Sequence, residues 1–223
     1  MHMRLTYFLF LLPLLSGAQT LAVTEYGDTI YVYDNGRWAY EPDETLLEDA
    51  SQLTYLDREL DIDSTNTVAY TVPAGADKEM TSRFGFLSVR YRDSLWQRVP
   101  PAQLNEDAEF VLKSRTTDMY SLVIVEEIEM TSEAILKTAL HNMESYAKEA
   151  PTIRRLERRQ VNGTEVLMAE YGIHTNGLAM TFVAYFYSSA RGTVQFMVWT
   201  ADNLYERHAE EIEALLNGLV IAS

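Results

Sequence analysis

Apolar and polar residues alternate regularly from about residue 80 onward, and this pattern predicts a folded domain. Runs of β-branched and aromatic residues predict strands over 84–91, 109–113 and 120–126. Apolar residues at helical spacing then predict a helix that Thr131 or Ser132 caps and that Pro151 ends. The first half of the domain is therefore expected to be two or three strands followed by a helix.

The second half of this domain begins with hairpins. Asn162-Gly163 and Asn176-Gly177 favour tight turns, and predicted strands over 153–161, 164–173, 178–188 and 194–200 surround them. Asp202 or Asn203 is predicted to cap a last helix. The strand over 181–187 is apolar on both faces, so we expect it to be central and covered on both sides. The pattern predicts an α+β fold in which helices cover an antiparallel sheet, an α/β/α sandwich.

Residues 19–40 have a different pattern, which predicts a small β-meander with strands over 22–24, 29–33 and 37–40. Asn35-Gly36 is its hairpin signal. Residues 41–79 are acidic at their start and are expected to form a partly helical linker. The main domain is then expected to span 80–223.

The first 18 residues have the pattern of a secretory signal peptide. Arg4 precedes an apolar run over 7–15, and Ser16-Gly17-Ala18 supplies small residues for cleavage near Ala18. The run is too short to span a membrane, and Ala18 stands where a lipoprotein carries its lipidated cysteine. We expect export to a periplasmic or extracellular space, with no membrane span and no lipid anchor.

Charge and composition then limit the partners and the chemistry. The chain has 18 Lys plus Arg, 33 Asp plus Glu and a net charge of -15, which disfavours nucleic acid as a partner. Much of this excess lies in residues 19–64, where 12 acidic residues stand against 2 basic ones, so anionic partners are less disfavoured for the main domain. The absence of cysteine excludes disulfides, thiol nucleophiles and Cys-ligated metal centres.

The region over about 83–223 resembles the PsbP/Mog-like fold group. The residues that carry the resemblance are Trp96, the segment 121–127, the hairpin 160–166 and the ending 215–219. The resemblance implies an α/β/α sandwich and a binding or assembly role, since members include an extrinsic photosystem subunit and a small-GTPase-binding protein. It implies no catalytic residue. The front hairpin, with Asn35-Gly36-Arg37-Trp38, is similar to an element at the start of other exported bacterial proteins.

A search for catalytic and metal-binding motifs yields no catalytic residue, cofactor site or metal site. His141, His174 and His208 form no H-x-H or H-E-x-x-H pair, so structural roles are favoured. Glu126-Glu127 beside Glu129 is more typical of a strand end in solvent than of paired catalytic carboxylates. The acidic string over 57–66 could bind calcium, but it lacks the glycine and closing glutamate of an EF-hand, which favours a solvated linker.

Aromatic and basic residues on the predicted strands are the candidates for a binding surface: Tyr185, Tyr187, Trp199, Arg155 and Arg159. The arginines of 154–159 could contact an anionic partner, or they could protect an edge strand from aggregation. Two functions stay open. The first is a non-enzymatic module that binds a protein or another cell-envelope component. The alternative is an envelope hydrolase or small-ligand-binding protein with an unrecognised site.

Overall fold

The computed structural model describes residues 19–23, 29–33, 38–42, 59–175 and 177–222, in two compact units that span 1–53 and 54–223. The predicted signal peptide, the hairpin turn at Asn35-Gly36, residues 43–58 of the acidic linker and Asn176 lie outside the described residues. The two units are described separately below.

The N-terminal unit contains a three-stranded antiparallel sheet. Its strands are β1 (Gln19–Val23), β2 (Thr29–Tyr33) and β3 (Trp38–Ala39), in the order β1-β2-β3. Gln19 pairs with Tyr33, and Val32 pairs with Trp38. The predicted meander is therefore confirmed, although its first strand begins three residues earlier than expected.

The main unit contains eleven strands and two α-helices among its described residues, with six strands before the first helix, where the sequence pattern predicts two or three. They are β4 (Ala69–Tyr70), β5 (Lys78–Thr81), β6 (Leu87–Tyr91), β7 (Trp96–Val99), β8 (Phe110–Ser114), β9 (Met119–Glu126), α1 (Ser132–Ala147), β10 (Thr152–Val161), β11 (Thr164–Thr175), β12 (Leu178–Ser189), β13 (Gly192–Ala201), α2 (Asp202–Leu216) and β14 (Leu219–Ile221). A short 3-10 turn, Pro101–Gln103, follows β7. None of the described helices is long and apolar enough to cross a membrane.

These strands form one large sheet and one small sheet. The large sheet has eight strands in the order β4-β10-β11-β12-β13-β9-β8-β7, antiparallel except where β4 runs parallel to β10. The small antiparallel sheet has the order β14-β6-β5. β4 and the start of β5 lie in residues that the sequence pattern assigns to the linker, so 59–79 contributes to the sheets of the main unit.

The core has two layers, one on each face of the large sheet. On the α1 face, Leu136 and Leu140 pack against the sheet. On the α2 face, Ile212 and Leu216 pack against it together with the small sheet. The central strand β12 alternates between the layers: Phe182, Ala184 and Phe186 join the α1 layer, while Val183 and Tyr185 join the α2 layer. The predicted α/β/α sandwich, with its central strand covered on both sides, is confirmed.

Local sequence signals explain several element ends. The Thr131 hydroxyl accepts a hydrogen bond from the Ala134 N–H at 3.1 Å and so caps α1, as predicted. Asn162 and Gly163 both have positive φ, at 50° and 82°, as the two-residue turn between β10 and β11 requires. The predicted cap of α2 is wrong: its N-cap is Ala201, without a side-chain cap, and the Asp202 carboxylate accepts from Thr181 and Arg154.

The side chain of Asn162 also joins three separate segments. Its Oδ1 accepts from the backbone N–H of Val72 at 2.7 Å. Its Nδ2 donates to the carbonyl oxygens of Asn217 and Leu219, at 2.9 and 2.6 Å. The turn residue therefore fixes the segment after β4 and the start of β14 to the end of β10.

Candidate functional site

The five binding candidates lie at different depths in the main unit. Tyr185 is 0% exposed and Arg159 is 2% exposed, so both lie in the interior and not on a surface. Tyr187 and Trp199 are half-buried, and Arg155 is exposed. Tyr185 and Trp199 belong to opposite layers of the sheet. The structure thus brings Arg159 and Tyr185 together and separates them from Trp199.

Arg159 is the centre of a buried polar network, which we call the Arg159 cluster. Its Nε donates to Glu157 Oε1 at 2.6 Å, and its Nη1 donates to the Tyr185 hydroxyl at 3.1 Å and to Glu213 Oε1 at 2.7 Å. The guanidinium also lies 4.5 Å from the centre of the Tyr70 ring. The cluster therefore connects β4, β10, β12 and α2.

Burial and charge act in opposite directions on Arg159. Burial alone lowers the pKa of the guanidinium, but Tyr185, Glu157 and Glu213 favour the charged form more strongly, and the pKa is raised. Burial raises the pKa of Tyr185 to about 12, so its hydroxyl stays protonated and donates to Asn217 Oδ1 at 2.7 Å. These groups are already engaged with one another, which indicates a structural role.

The other arginines of β10 also have acidic partners. Arg154 contacts Asp202 at 2.6 Å, Arg155 contacts Glu170 at 3.2 Å, and Arg158 contacts both Glu133 and Glu165. Through these pairs, the strand is tied to α1 on one face and to α2 on the other.

β10 is also not a free edge strand. β4 pairs with Gln160 and Val161, and the backbone of Asp63 bonds to Leu156 and Arg158. The interpretation of these arginines as protection for an exposed edge was therefore wrong for this part of β10, because backbone neighbours already cover it.

Trp199 belongs to a line of four rings on the α1 face, which we call the aromatic row. The row runs across β11, β12, β13 and β9 through Tyr171, Phe182, Trp199 and Tyr120, with ring centres 5.3, 5.6 and 5.9 Å apart. Tyr171 and Phe182 are buried, whereas Trp199 and Tyr120 are half-buried. The row thus extends from the core towards the surface.

The rings of the row are stacked, with interplanar angles of 4°, 16° and 25° from its inner to its outer end. The ammonium of Lys113 lies 5.3 Å from the centre of the Tyr120 ring, at the outer end of the row. Trp199 and Tyr120 are therefore the half-buried rings of the row, and apolar rings beside a positive charge suit contact with a protein surface.

Sequence reasoning identified Trp199 but missed the rest of the row. The hairpin between β12 and β13 pairs Phe182 with Trp199, so that neighbour follows from the turn position. Tyr120 on β9 pairs with Trp199 on β13. Along the chain, α1 and three strands lie between β9 and β13. No local signal identifies that second pairing.

The three histidines of the main unit lie apart. His141 is on α1, His174 is exposed on β11, and His208 lies on α2 with Nδ1 3.6 Å from Glu211 Oε2. Among the described residues, no group of three or more side chains is placed to hold a metal ion. In the acidic string, Asp63 Oδ1 accepts from the backbone and hydroxyl of Thr65, both at 2.7 Å. The interpretation of this string as a solvated linker rather than a calcium site stays a prediction.

Comparison with known proteins identifies the fold. No family model and no curated protein sequence matches the chain. Among solved structures it is similar to cyanobacterial PsbP (CyanoP) from Synechocystis sp. PCC 6803, with 12% identity, a TM-score of 0.53, and coverage of 70% of this chain and 98% of that one. The predicted PsbP/Mog-like fold is thereby confirmed, and identity this low shows the fold alone.

Two further structures share this similarity at lower TM-scores. LpqN, involved in cell envelope biogenesis of Mycobacterium tuberculosis, has 11% identity, a TM-score of 0.43, and coverage of 70% of this chain and 99% of that one. The Ran-binding protein Mog1p of Saccharomyces cerevisiae has 7% identity, a TM-score of 0.46, and coverage of 66% and 95%.

Proposed function

We propose that the chain is an exported, non-enzymatic binding module of the bacterial cell envelope, which binds a protein partner through the outer end of the aromatic row. The observation that supports this most directly is the half-exposed pair Trp199 and Tyr120, stacked on a buried inner end. Aromatic side chains that are already held in place lose little conformational entropy on binding, and such residues dominate protein interfaces.

The chemistry of the row suggests the character of the partner surface. The half-buried rings offer apolar contact, while the exposed Lys113 adds a positive charge beside Tyr120. An apolar patch with acidic residues at its rim complements this arrangement.

A non-enzymatic role fits the placement of the reactive groups. The arginines of β10 are engaged in ion pairs, and the histidines lie on different elements. The fold shared with cyanobacterial PsbP supports the same interpretation. Export rests on the signal pattern of residues 1–18, and the test is cell fractionation with N-terminal sequencing, where we expect a mature chain that starts near Gln19.

The binding proposal is tested by site-specific photo-crosslinking in the native envelope. A photoreactive phenylalanine analogue at position 120 should form an adduct with one protein partner, and Trp199→Ala should reduce its yield at least fivefold. Val68 is the matched control, because it is 55% exposed but lies beside β4, at one edge of the large sheet. The analogue at 68 should give no such adduct, and Val68→Ala should leave the yield at 120 unchanged.

Other results contradict the proposal. Equal adducts at 120 and 68, or an adduct that is insensitive to Trp199→Ala, would show that the row is not the binding surface. Turnover of ester, glycoside or peptide substrates by the purified full chain would favour the hydrolase alternative.

A further inference from the structure

The strand β7 is one edge of the large sheet, and β8 is its neighbour among the described strands. The N–H of Arg115, just after β8, donates to the carbonyl oxygen of Leu95, just before β7, at 2.8 Å. Such bonds recur at every second residue of an antiparallel ladder, so the backbone of Gln97 bonds to β8 and that of Arg98 does not. The N–H and C=O groups of Arg98 therefore point away from β8.

These two backbone groups of Arg98 are the open part of the edge. The N–H of Trp96 donates to the carbonyl oxygen of Arg92 at 3.0 Å. Pro100 has no N–H, and its carbonyl oxygen accepts from Gln103 at 3.0 Å. Arg98 itself is exposed, and its outward N–H and C=O have no partner in the described part of the chain. One free donor and one free acceptor on the same residue are what an added strand needs to form a hydrogen-bonded pair.

This edge is continuous with the aromatic row. Gln97 pairs with Lys113 across β7 and β8, and Lys113 pairs with Tyr120 across β8 and β9. Tyr120 is the outermost ring of the row, so the line of paired residues that contains the row continues to β7. A strand added to β7 would therefore lie beside the surface that we propose for partner binding.

The charges at this edge are positive. The guanidinium of Arg98 lies 5.3 Å from the centre of the Phe110 ring on the α2 face, and Lys113 lies beside Tyr120 on the α1 face. Neither cation forms an ion pair with an acidic side chain in the described residues, in contrast to the arginines of β10. Acidic residues of a partner would complement these two charges.

We propose that the protein partner binds by adding a short, extended, acidic segment to β7. The backbone of this segment exchanges two hydrogen bonds with Arg98. Successive side chains of a strand point to opposite faces, so neighbouring carboxylates reach Arg98 on one face and Lys113 on the other. This inference rests on the proposed function, because it specifies how the partner reaches the aromatic row. A second copy of this chain fits less well, since an antiparallel exchange of these bonds would place Arg98 opposite Arg98.

The test repeats the photo-crosslinking from position 120 in full chains that also carry a change at Arg98. Arg98→Pro removes the outward N–H and keeps the bonds of Gln97 to β8, and it should reduce the adduct yield at least fivefold. Arg98→Glu keeps the N–H but places a like charge beside the acidic segment, and it should also reduce the yield at least fivefold.

Arg83→Glu is the matched control. Arg83 is also exposed, with its guanidinium 4.8 Å from the centre of a phenylalanine ring, but it lies between β5 and β6 of the small sheet. This change should leave the adduct yield at 120 unchanged. Thermal unfolding of each variant checks that the fold is intact.

Amide hydrogen exchange of the purified full chain tests the edge without a partner. The N–H of Arg98 should exchange at least tenfold faster than the N–H groups of Gln97 and Val99, which bond to β8. Equal exchange rates would show that the edge is already paired, and they would overturn the proposal.

The crosslinking outcomes separate this inference from the proposed function. An unchanged yield in a folded Arg98→Pro variant would overturn the added strand, and an unchanged yield in Arg98→Glu would overturn its acidic character. In both cases the aromatic row would stay the binding surface. An adduct between two copies of this chain would overturn the acidic partner. No adduct at 120 in the otherwise unchanged chain would overturn both proposals.

Discussion

The two faces of the large sheet solve the burial of polar groups in different ways. On the α2 face, Arg159, Glu157 and Tyr185 are all buried, and each is hydrogen-bonded within the Arg159 cluster. On the α1 face, the aromatic row buries Tyr171 completely, and its hydroxyl has no partner in the described part of the chain. One face depends on matched charges, and the other on ring stacking.

This difference separates the roles of the two faces. Removing one member of a buried charged network leaves the others unpaired, so the α2 face should tolerate little change at the Arg159 cluster. A stack of rings leaves no charge unpaired where it ends, so its outermost rings can contact another molecule. We therefore expect the α2 face to fix the fold and the α1 face to carry binding to a protein partner.

The largest effect should come from Arg159→Ala, which breaks the α2 face. Glu157 would stay buried without its main partner, and breaking such a pair costs about 3–5 kcal/mol of the free energy of unfolding. Urea unfolding measures this loss. Arg158→Ala is the control from the same strand: its ion pairs with Glu133 and Glu165 are partly exposed to solvent on both sides, so the loss should stay below about 1 kcal/mol. Equal losses would contradict a special role for Arg159.

The same chemical change on the two faces should have opposite signs. Tyr171→Phe removes a buried hydroxyl that has no partner, and we expect it to raise the free energy of unfolding by about 1 kcal/mol. Tyr185→Phe removes a hydroxyl that accepts from Arg159 and donates to Asn217, so it should lower that free energy by about 1–3 kcal/mol. Urea midpoints that shift in the same direction for both variants would refute the comparison.

The smallest effect concerns the ion pairs that tie β10 to the two helices. The Thr181 hydroxyl and Arg154 lower the pKa of Asp202. Burial alone would raise the pKa of Glu133, but its own backbone N–H at the start of α1 and Arg158 lower it. A lowered folded-state pKa means that each pair stabilises the fold above the unfolded pKa, and that this contribution is lost as the pH falls through the folded pKa.

Asp202→Asn and Glu133→Gln test these pairs. Each should lower the free energy of unfolding at neutral pH by less than about 1 kcal/mol, because both pairs are partly exposed to solvent. The difference from the unchanged protein should disappear in acid, below the ordinary pKa values of 3.8 for aspartate and 4.5 for glutamate. Urea midpoints across that pH range measure this, and a difference that grows in acid would contradict it.

Elements defined by local signals could be predicted from the sequence. The cap at Thr131, the Asn162-Gly163 turn and the alternation in β12 each depend on residues that are close in the chain. β4, β5, β7 and β14 were missed, since two to four residues carry little periodicity, and the partners of β4 and β14, which are β10 and β6, are also distant in sequence. Short strands that form only by tertiary pairing leave little trace in a single sequence.

The candidate site residues could likewise be predicted only as far as local sequence signals place them. Trp199 lies on the expected strand, and its aromatic character made it a binding candidate. The burial of Arg159 could not be predicted, because it depends on β12 and α2 placing Tyr185 and Glu213 beside β10. A run of arginines on a strand predicts exposure unless the partners that neutralise them are known.

The hydrogen bonds of Asn162 also bear on the chemical ageing of the protein. An asparagine before glycine is prone to deamidation, in which the glycine nitrogen attacks the side-chain carbonyl carbon. Here contacts at both Oδ1 and Nδ2 hold that side chain in place, so the folded state should protect it. After deamidation the side chain is a carboxylate, and its oxygens would face the carbonyl oxygens of Asn217 and Leu219. Oxygen atoms that carry negative charge on both sides would repel each other. We therefore expect deamidation of Asn162 to weaken the attachment of β14 to this turn. The deamidated fraction at Asn162 should increase with the age of the protein.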